Sequence, residues 1–282
     1  MSKKAYREYY ERLALAREKL RAELAQKAKT RSFWSINYKA SFKGTFYEMI
    51  SRRLSGQKRP LVLDMGCGRG GDFSYLSKAR SFDGYGIDLS YTRLKVALSN
   101  DSLDKFGFIQ ADALNVPFKD AAFDMAICSE LIEHLHLADA ETCVQEIKRV
   151  LKEKGILFLS TPNRWDYFHL IGQIIPRPLR RRLAKTLRGE EVDIDPSEFV
   201  TQEGMKEHVH LFTIKEIEAF LERLGFSIEE IKVGKLTVPI PRFFDRFVVL
   251  QKIWIAFDKV IGLLPLPLCI KATILIVCRK KK

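Results

Sequence analysis

The chain has 282 residues, of which 46% are hydrophobic and 29% are charged. This length and composition predict one large globular domain with additions, and they exclude a disordered, collagen-like or low-complexity chain. The five cysteines are scattered along the chain and include no C-x-x-C pair, which argues against a disulfide scaffold or a zinc ribbon. We therefore expect a reduced, cytoplasmic protein.

The formal net charge of +13 is unevenly distributed. Residues 1–59 hold 16 Lys and Arg against 5 Asp and Glu, whereas residues 60–175 hold 12 against 16. A basic arm of this kind suggests an anionic partner, either nucleic acid or a membrane surface, although it is also typical of a solvated helix face. We expect no signal peptide and no membrane-spanning helix, because the chain starts without an apolar core and holds no apolar run of about 18 residues.

The first 59 residues are predicted to form a basic helical extension. Residues 3–29 are rich in Ala, Leu, Glu, Lys and Arg, with apolar side chains at helical spacing. An aromatic stretch over residues 33–47 then predicts a second helix that ends near Gly56 and covers the pocket of the following domain.

Residues 60–282 are predicted to form an α/β domain, because short apolar strands alternate there with amphipathic helices. Such alternation is typical of a doubly wound, mostly parallel sheet. The predicted helices are Ala140–Leu151, with Gly155 as its stop signal, and Thr213–Leu224. The predicted strands are Leu61–Met65, Gly84–Asp88, Phe106–Gln110, Phe123–Ser129, Gly155–Ser160, Phe226–Val233 and Ala272–Cys278.

Two segments interrupt this alternation. Residues 163–212 hold prolines and a basic run, and we interpret them as a helical lid or insertion. Residues 242–264 are predicted to be an apolar helical insertion before the last strand.

A glycine-rich turn follows the first strand of the α/β domain, in LVLDMGCGRGGD over residues 61–72. Glycines allow a sharp turn and let a ligand approach the backbone at the start of the next helix. Gly66, Gly68 and Gly71 also satisfy G-x-G-x-x-G, the dinucleotide fingerprint. Taken alone, the loop indicates only a cofactor that contains adenosine.

Acidic residues follow the next two strands. Asp88 closes the second strand, where a carboxylate could accept both ribose hydroxyls, and Asp112 follows the third, where it could accept from an adenine amino group. Any one of these aspartates could instead be a turn or helix-capping residue. Their shared position at strand ends favours a ligand site, because open α/β sheets bind ligands at the carboxyl ends of their strands.

Together, D-x-G-C-G-x-G (64–70), Asp88, Asp112-Ala113 and EIKRVLKEKGILFLSTPN (146–163) resemble the class I S-adenosylmethionine-dependent methyltransferases. The nearest branch looks like the small-molecule O-methyltransferases of the ubiquinone-biosynthesis type. The resemblance implies a Rossmann-like seven-stranded sheet whose last strand is inserted antiparallel. It also implies that S-adenosylmethionine is bound by Asp64, Gly66, Cys67, Gly68, Gly70, Asp88, Leu89, Asp112, Ala113, Ser129 and Glu130.

Histidines near the fourth strand are the candidate general bases for an oxygen nucleophile. His134 is the first candidate, and His210 or His208 could reach the site from the lid, although each could instead only pack or anchor its segment. Glu130, Glu133 and His134 also form E-x-x-E-H, which resembles a divalent-metal site of small-RNA 2′-O-methyltransferases. Because E-H-L is common in metal-free relatives, we predict no metal.

The acceptor is predicted to be a small or lipid-like molecule. Residues 165–188 combine apolar and basic side chains as interfacial amphipathic helices do, and residues 243–268 could line an apolar tunnel, which keeps membrane association open. The alternatives are an RNA methyltransferase that uses the basic arm, and a catalytically silent cofactor-binding subunit.

Overall fold

The computed structural model describes residues 7–12, 14–16, 18–19, 33–164, 209–233 and 273–281. The predicted insertion at 242–264 and most of the predicted lid lie outside these residues. The helices are α1 (Phe33–Leu54), α2 (Gly71–Leu76), α3 (Tyr91–Leu98), α4 (Leu137–Val150) and α5 (Ile214–Arg223), with 3₁₀ turns at Asp101–Leu103 and Ile132–His134. The strands are β1 (Leu61–Met65), β2 (Asp83–Asp88), β3 (Gly107–Gln110), β4 (Phe123–Ser129), β5 (Leu151–Pro162), β6 (Phe226–Val233) and β7 (Thr273–Lys280).

The seven strands form one sheet in the order β3-β2-β1-β4-β5-β7-β6. Only β7 runs antiparallel, between β5 and β6, so the predicted doubly wound and mostly parallel sheet is confirmed. The chain reverses its direction across the sheet between β1 and β4, which are parallel neighbours. A reversal of this kind opens a crevice beyond the carboxyl ends of the strands.

Helices cover both faces of the sheet. One apolar cluster joins α4 and α5 to residues such as Leu63 and Met65. The other joins α1 and α2 to residues such as Val62 and Phe158. Since side chains alternate along a strand, Val62 and Leu63 enter opposite clusters.

The second half of α1 belongs to the core of the sheet. Phe46, Met49 and Ile50 are fully buried and pack in the same cluster as Phe73 and Phe158. The domain boundary after residue 59 stays a prediction, but α1 is held against the sheet by ordinary core packing. This packing brings the residues just before Phe46 to the carboxyl edge of β1.

The predicted end of the fourth helix was wrong. Helix α4 begins at Leu137 and ends at Val150, and Leu151 is already extended, with φ −72° and ψ 135°. Leu151 is fully buried and pairs with Phe123 of β4, so strand pairing ends the helix rather than Gly155. Gly155 lies inside β5, after an exposed stretch in which Lys154 has φ 60°.

None of the helices in the described ranges combines the length and the apolar character that crossing a membrane requires.

Candidate functional site

The glycine loop is fastened to the end of β2. The amides of Gly66 and Cys67 both donate to the carbonyl oxygen of Ile87, at 2.8 and 2.9 Å. Gly68 has φ 54°, and a Cβ built on it would meet no atom closer than 3.9 Å. Glycine is therefore needed at this turn for its left-handed backbone, and the absent side chain leaves open space before α2.

Asp88 connects the glycine loop to the start of α3. Its Oδ2 accepts from the amide of Gly68 and its Oδ1 from the amide of Ser90, both at 2.8 Å. Burial raises the pKa of Asp88, while these two amides and Arg93 oppose that rise. Each carboxylate oxygen keeps a further lone pair, so Asp88 could still accept hydrogen bonds from a ligand.

Asp64 is a buried carboxylate at the other side of the loop. It is 1% exposed, and no donor among the described residues reaches its Oδ2. Burial raises its pKa well above the usual range, and the neighbouring Asp72 adds to the rise. Because buried polar atoms are seldom left without a partner, Asp64 is suited to receive a donor from a bound ligand.

Two residues of α1 that sequence reasoning missed reach this site. Lys43 Nζ and Tyr47 Oη both donate to Asp72 Oδ1, at 2.7 and 2.8 Å. Burial opposes the charge of Lys43, but the carboxyl groups of Asp72, Asp64 and Glu130 together outweigh burial and raise the pKa of the ammonium. Lys43 is therefore a cation among three carboxyl groups.

Glu130 stands at the end of β4 in a strained backbone conformation, with φ 54°. Its amide donates to the carbonyl of Ser160 at 3.0 Å, and its Oε1 accepts from the Ser160 hydroxyl at 3.0 Å. Ser129 Oγ lies 3.2 Å from the same hydroxyl. Burial raises the pKa of Glu130 to about 7, against the opposing effects of Ser160 and Lys43.

The raised pKa of Glu130 predicts a pH-dependent stability. Its carboxyl keeps a proton in the folded protein that it loses more easily when unfolded, so its contribution is complete below pH 4.5 and is lost as the pH rises through about 7. The free energy of unfolding should therefore fall as the pH rises, and we expect this fall to be about 1–3 kcal/mol smaller in Glu130→Gln than in the wild type. Urea unfolding at a series of pH values from 4.5 to 8 measures the free energy of unfolding of both proteins. Parallel curves of this free energy against pH would contradict the prediction.

The residues assigned to adenine binding lie at the ends of β2 and β3. Asp88 pairs with Gln110, whose side-chain amide donates to the carbonyl of Leu89 at 2.9 Å. Asp112 follows two residues later, and its Oδ1 accepts from the amide of Leu114 at 2.9 Å. The structure thus brings Asp112 and its neighbour Ala113 to the same sheet edge as Asp88, with one Asp112 oxygen already stabilising a turn.

Backbone contacts join the segments that carry His134 and His210. The carbonyl of Glu133 accepts from the amides of Val209 and His210, at 2.8 and 3.2 Å. Burial, aided by Arg164, lowers the pKa of His210, whose ring packs edge-on against Phe212 with the centroids 4.5 Å apart. The lowered pKa favours the neutral imidazole of His210, the form that a proton acceptor needs. His208 lies outside the described residues.

The E-x-x-E-H residues do not share one exposed face. Glu133 is fully buried, and its Oε2 accepts from the Thr161 hydroxyl at 3.3 Å. In the part of the chain that the structure describes, no three His, Cys, Asp or Glu side chains are grouped so that they could hold a metal ion.

Comparison with known proteins indicates which class of enzyme the chain is similar to. Residues 63–159 match the family model described as "Methyltransferase domain", which spans the glycine loop, Asp88, Asp112 and Glu130. Together with the seven-stranded sheet, this match supports a class I S-adenosylmethionine-dependent methyltransferase.

Individual relatives are more distant. An uncharacterised protein of Methanocaldococcus jannaschii is 24% identical over 80% of this chain and 78% of its own length. A ubiquinone biosynthesis O-methyltransferase of Nitrosomonas europaea is 31% identical over 53% of this chain and 63% of its own length. Other curated relatives are likewise matched over only part of their length.

The crystal structure of the [4+2]-cyclase SpnF has the same fold. It matches 84% of this chain and 81% of its own chain, with a TM-score of 0.54 and 18% sequence identity. Since that protein is described as a cyclase, the shared fold alone does not define the reaction.

Proposed function

We propose that the chain binds S-adenosylmethionine in the crevice between the glycine loop and the strand ends, and transfers its methyl group to an oxygen of a small or lipid-like acceptor. The observation that carries this proposal is the buried Asp64 oxygen that no donor among the described residues reaches, at the end of the strand that leads into the glycine loop with its open space at Gly68. The ammonium group of a ligand could donate a hydrogen bond to this Asp64 oxygen. The flexible chain of the same ligand could lie in the open space along the backbone of the glycine loop.

Each part of this cofactor has a proposed partner among the surrounding residues. Asp88 would accept from the ribose hydroxyls, and Leu89, Asp112 and Ala113 would bound the adenine. Asp64 would accept from the ammonium group of the methionine part. The loop residues Gly66, Cys67, Gly68 and Gly70 would line that part with backbone, and Ser129 and Glu130 would lie beside the sulfonium.

Charge also supports a cationic cofactor. Burial raises the pKa of both Asp64 and Glu130, and each carboxyl group also feels the nearby charges of Asp72 and Lys43. Negative charge in a partly buried site favours a sulfonium over its neutral thioether product. When bound, S-adenosylmethionine supplies an activated methyl group, and the chain's own task is to align the acceptor and exclude water.

His134 is the proposed general base, with His210 as the second candidate. The two belong to segments joined through the carbonyl of Glu133, so either side chain could approach an acceptor that enters beside Glu130. Both would act as neutral imidazoles that take the proton of an acceptor hydroxyl.

Replacing His134 tests this role. We expect His134→Ala to lower kcat by roughly 100-fold with little change in cofactor affinity, because general bases typically contribute that much. Radiolabelled methyl transfer and calorimetry measure the two quantities. His136→Ala is the matched control, since His136 is an exposed residue two positions along the chain. Full activity in His134→Ala would rule out His134 as the general base and leave His210 as the candidate.

The acceptor class rests on the sequence and the relatives together. The Nitrosomonas europaea relative is named an O-methyltransferase of ubiquinone biosynthesis. We propose that the lid at residues 163–212 and the apolar insertion at residues 242–264 enclose the acceptor within a methyltransferase domain of residues 60–282. Methyl transfer to phenolic lipids in anionic vesicles tests this assignment. Transfer to short RNA instead would replace the acceptor class.

A further inference from the structure

The N-terminal helical segment, residues 7–12, 14–16 and 18–19, lies against the turn that follows Asp88. The carboxylate of Glu11 accepts from the Ser90 hydroxyl at 3.1 Å and from the amide of Thr92 at 3.4 Å, and it also accepts from the amide of Tyr91. These donors lie at the start of α3, where unpaired amides and the helix dipole favour a negative charge. Although burial opposes it, these hydrogen bonds lower the pKa of Glu11.

The same segment also contacts the glycine loop. Glu18 Oε1 lies 3.7 Å from Arg69 Nε, and Arg69 stands between Gly68 and Gly70. Between the two glutamates, Ala14 is 1% exposed. Residues 11, 14 and 18 follow the three- and four-residue steps that place side chains on one face of a helix. That face therefore rests on the protein over about 10 Å.

The two contacts fall on opposite walls of the crevice. Arg69 belongs to the loop after β1, and Ser90 and Thr92 belong to the turn after β2, its parallel neighbour. Asp88 lies between these walls and is close enough to Glu11 for the two charges to interact. The outer side of the segment exposes Arg7, Glu8, Arg12 and Lys19, together with Leu15 and Ala16.

We propose that the N-terminal helical segment is the removable roof of the cofactor crevice, fastened to one wall by Glu11 and to the other by Glu18. This inference rests on the proposed function, because it takes the ligand beneath the roof to be S-adenosylmethionine. Cofactor entry and release then require the roof to lift. Glu11 is the main fastening, since three donors reach its carboxylate at the start of α3, whereas Glu18 lies 3.7 Å from a partly exposed guanidinium.

Release kinetics of the full-length protein test the roof. Radiolabelled S-adenosylmethionine is bound to the wild type, Glu11→Gln, Glu18→Gln and Glu8→Gln, and then chased with excess unlabelled cofactor. We expect Glu11→Gln to speed release by roughly tenfold, because a charge-assisted set of hydrogen bonds is lost. Glu18→Gln should speed it by a smaller factor. Glu8→Gln, one exposed turn away on the outer side, should release at the wild-type rate.

The outcomes separate this inference from the function on which it rests. Equal release rates in wild type and Glu11→Gln would overturn the roof while leaving cofactor binding intact. If Glu8→Gln released the cofactor as fast as Glu11→Gln does, the roof would also be overturned. The effect would then come from the loss of a negative charge and not from the loss of the Glu11 hydrogen bonds. If the wild type binds no S-adenosylmethionine, the proposed function falls and the roof falls with it.

Discussion

Asp88→Asn is expected to weaken S-adenosylmethionine binding by at least about tenfold, the largest loss that we expect from a single substitution. Both carboxylate oxygens accept backbone amides, one from the glycine loop and one from the start of α3. An asparagine must present its NH₂ group to one of these amides, so the loop loses a contact at the same time as the ribose loses a charged acceptor. Calorimetric titration measures the loss.

The control lies at the other end of the same strand. Asp83 is the first residue of β2, is partly exposed and pairs with Arg59 on the opposite edge of the sheet. Asp83→Asn should therefore bind the cofactor as the wild type does. Equal affinity in Asp88→Asn and Asp83→Asn would remove the ribose role from Asp88.

Lys43→Met is expected to destabilise the protein most strongly at alkaline pH. Asp72 would lose its ammonium partner and keep only the Tyr47 hydroxyl, beside the buried Asp64. Lys43 also helps to hold down the pKa of Glu130, so that pKa should rise above about 7 in the variant. We expect a loss of about 1–3 kcal/mol in the free energy of unfolding at pH 8, less than for a fully buried pair.

Acid pH supplies the internal comparison for this variant. Glu130, whose pKa is about 7, takes up its proton between pH 8 and pH 5 and then no longer needs the charge of Lys43, so the difference between wild type and Lys43→Met should shrink at pH 5. Lys43→Arg keeps the charge and should recover most of the stability at pH 8. A loss that is the same at both pH values, or no recovery in Lys43→Arg, would show that packing rather than charge explains the effect.

Local sequence patterns predicted most of the fold. The bounds of β1, β4 and β6 agree with the predicted strands. β1 and β4 are mainly apolar, β6 mixes apolar and charged residues, and each strand is followed by Gly or Glu. The antiparallel insertion of the last strand came from the family resemblance and is confirmed. The start of β5 was mispredicted, because Leu151 continues the apolar period of α4 and only its pairing with Phe123 makes it a strand.

The missed parts of the site depend on contacts between distant parts of the chain. Lys43 and Tyr47 precede Asp72 by 29 and 25 residues, and Glu11 precedes Ser90 by 79. Nothing in residues 33–47 distinguishes a lysine that faces the glycine loop from one that faces solvent. The strand-end residues were accessible to sequence reasoning because parallel strands bring their carboxyl ends to one edge by topology alone.

Calorimetric titration of the wild-type chain shows whether the crevice binds S-adenosylmethionine. S-adenosylmethionine and NADH are titrated separately at pH 7.5, because the glycine loop also fits the dinucleotide fingerprint. We expect saturable binding of one S-adenosylmethionine per chain and no binding of NADH. Binding of NADH, or no binding of S-adenosylmethionine, would contradict this expectation.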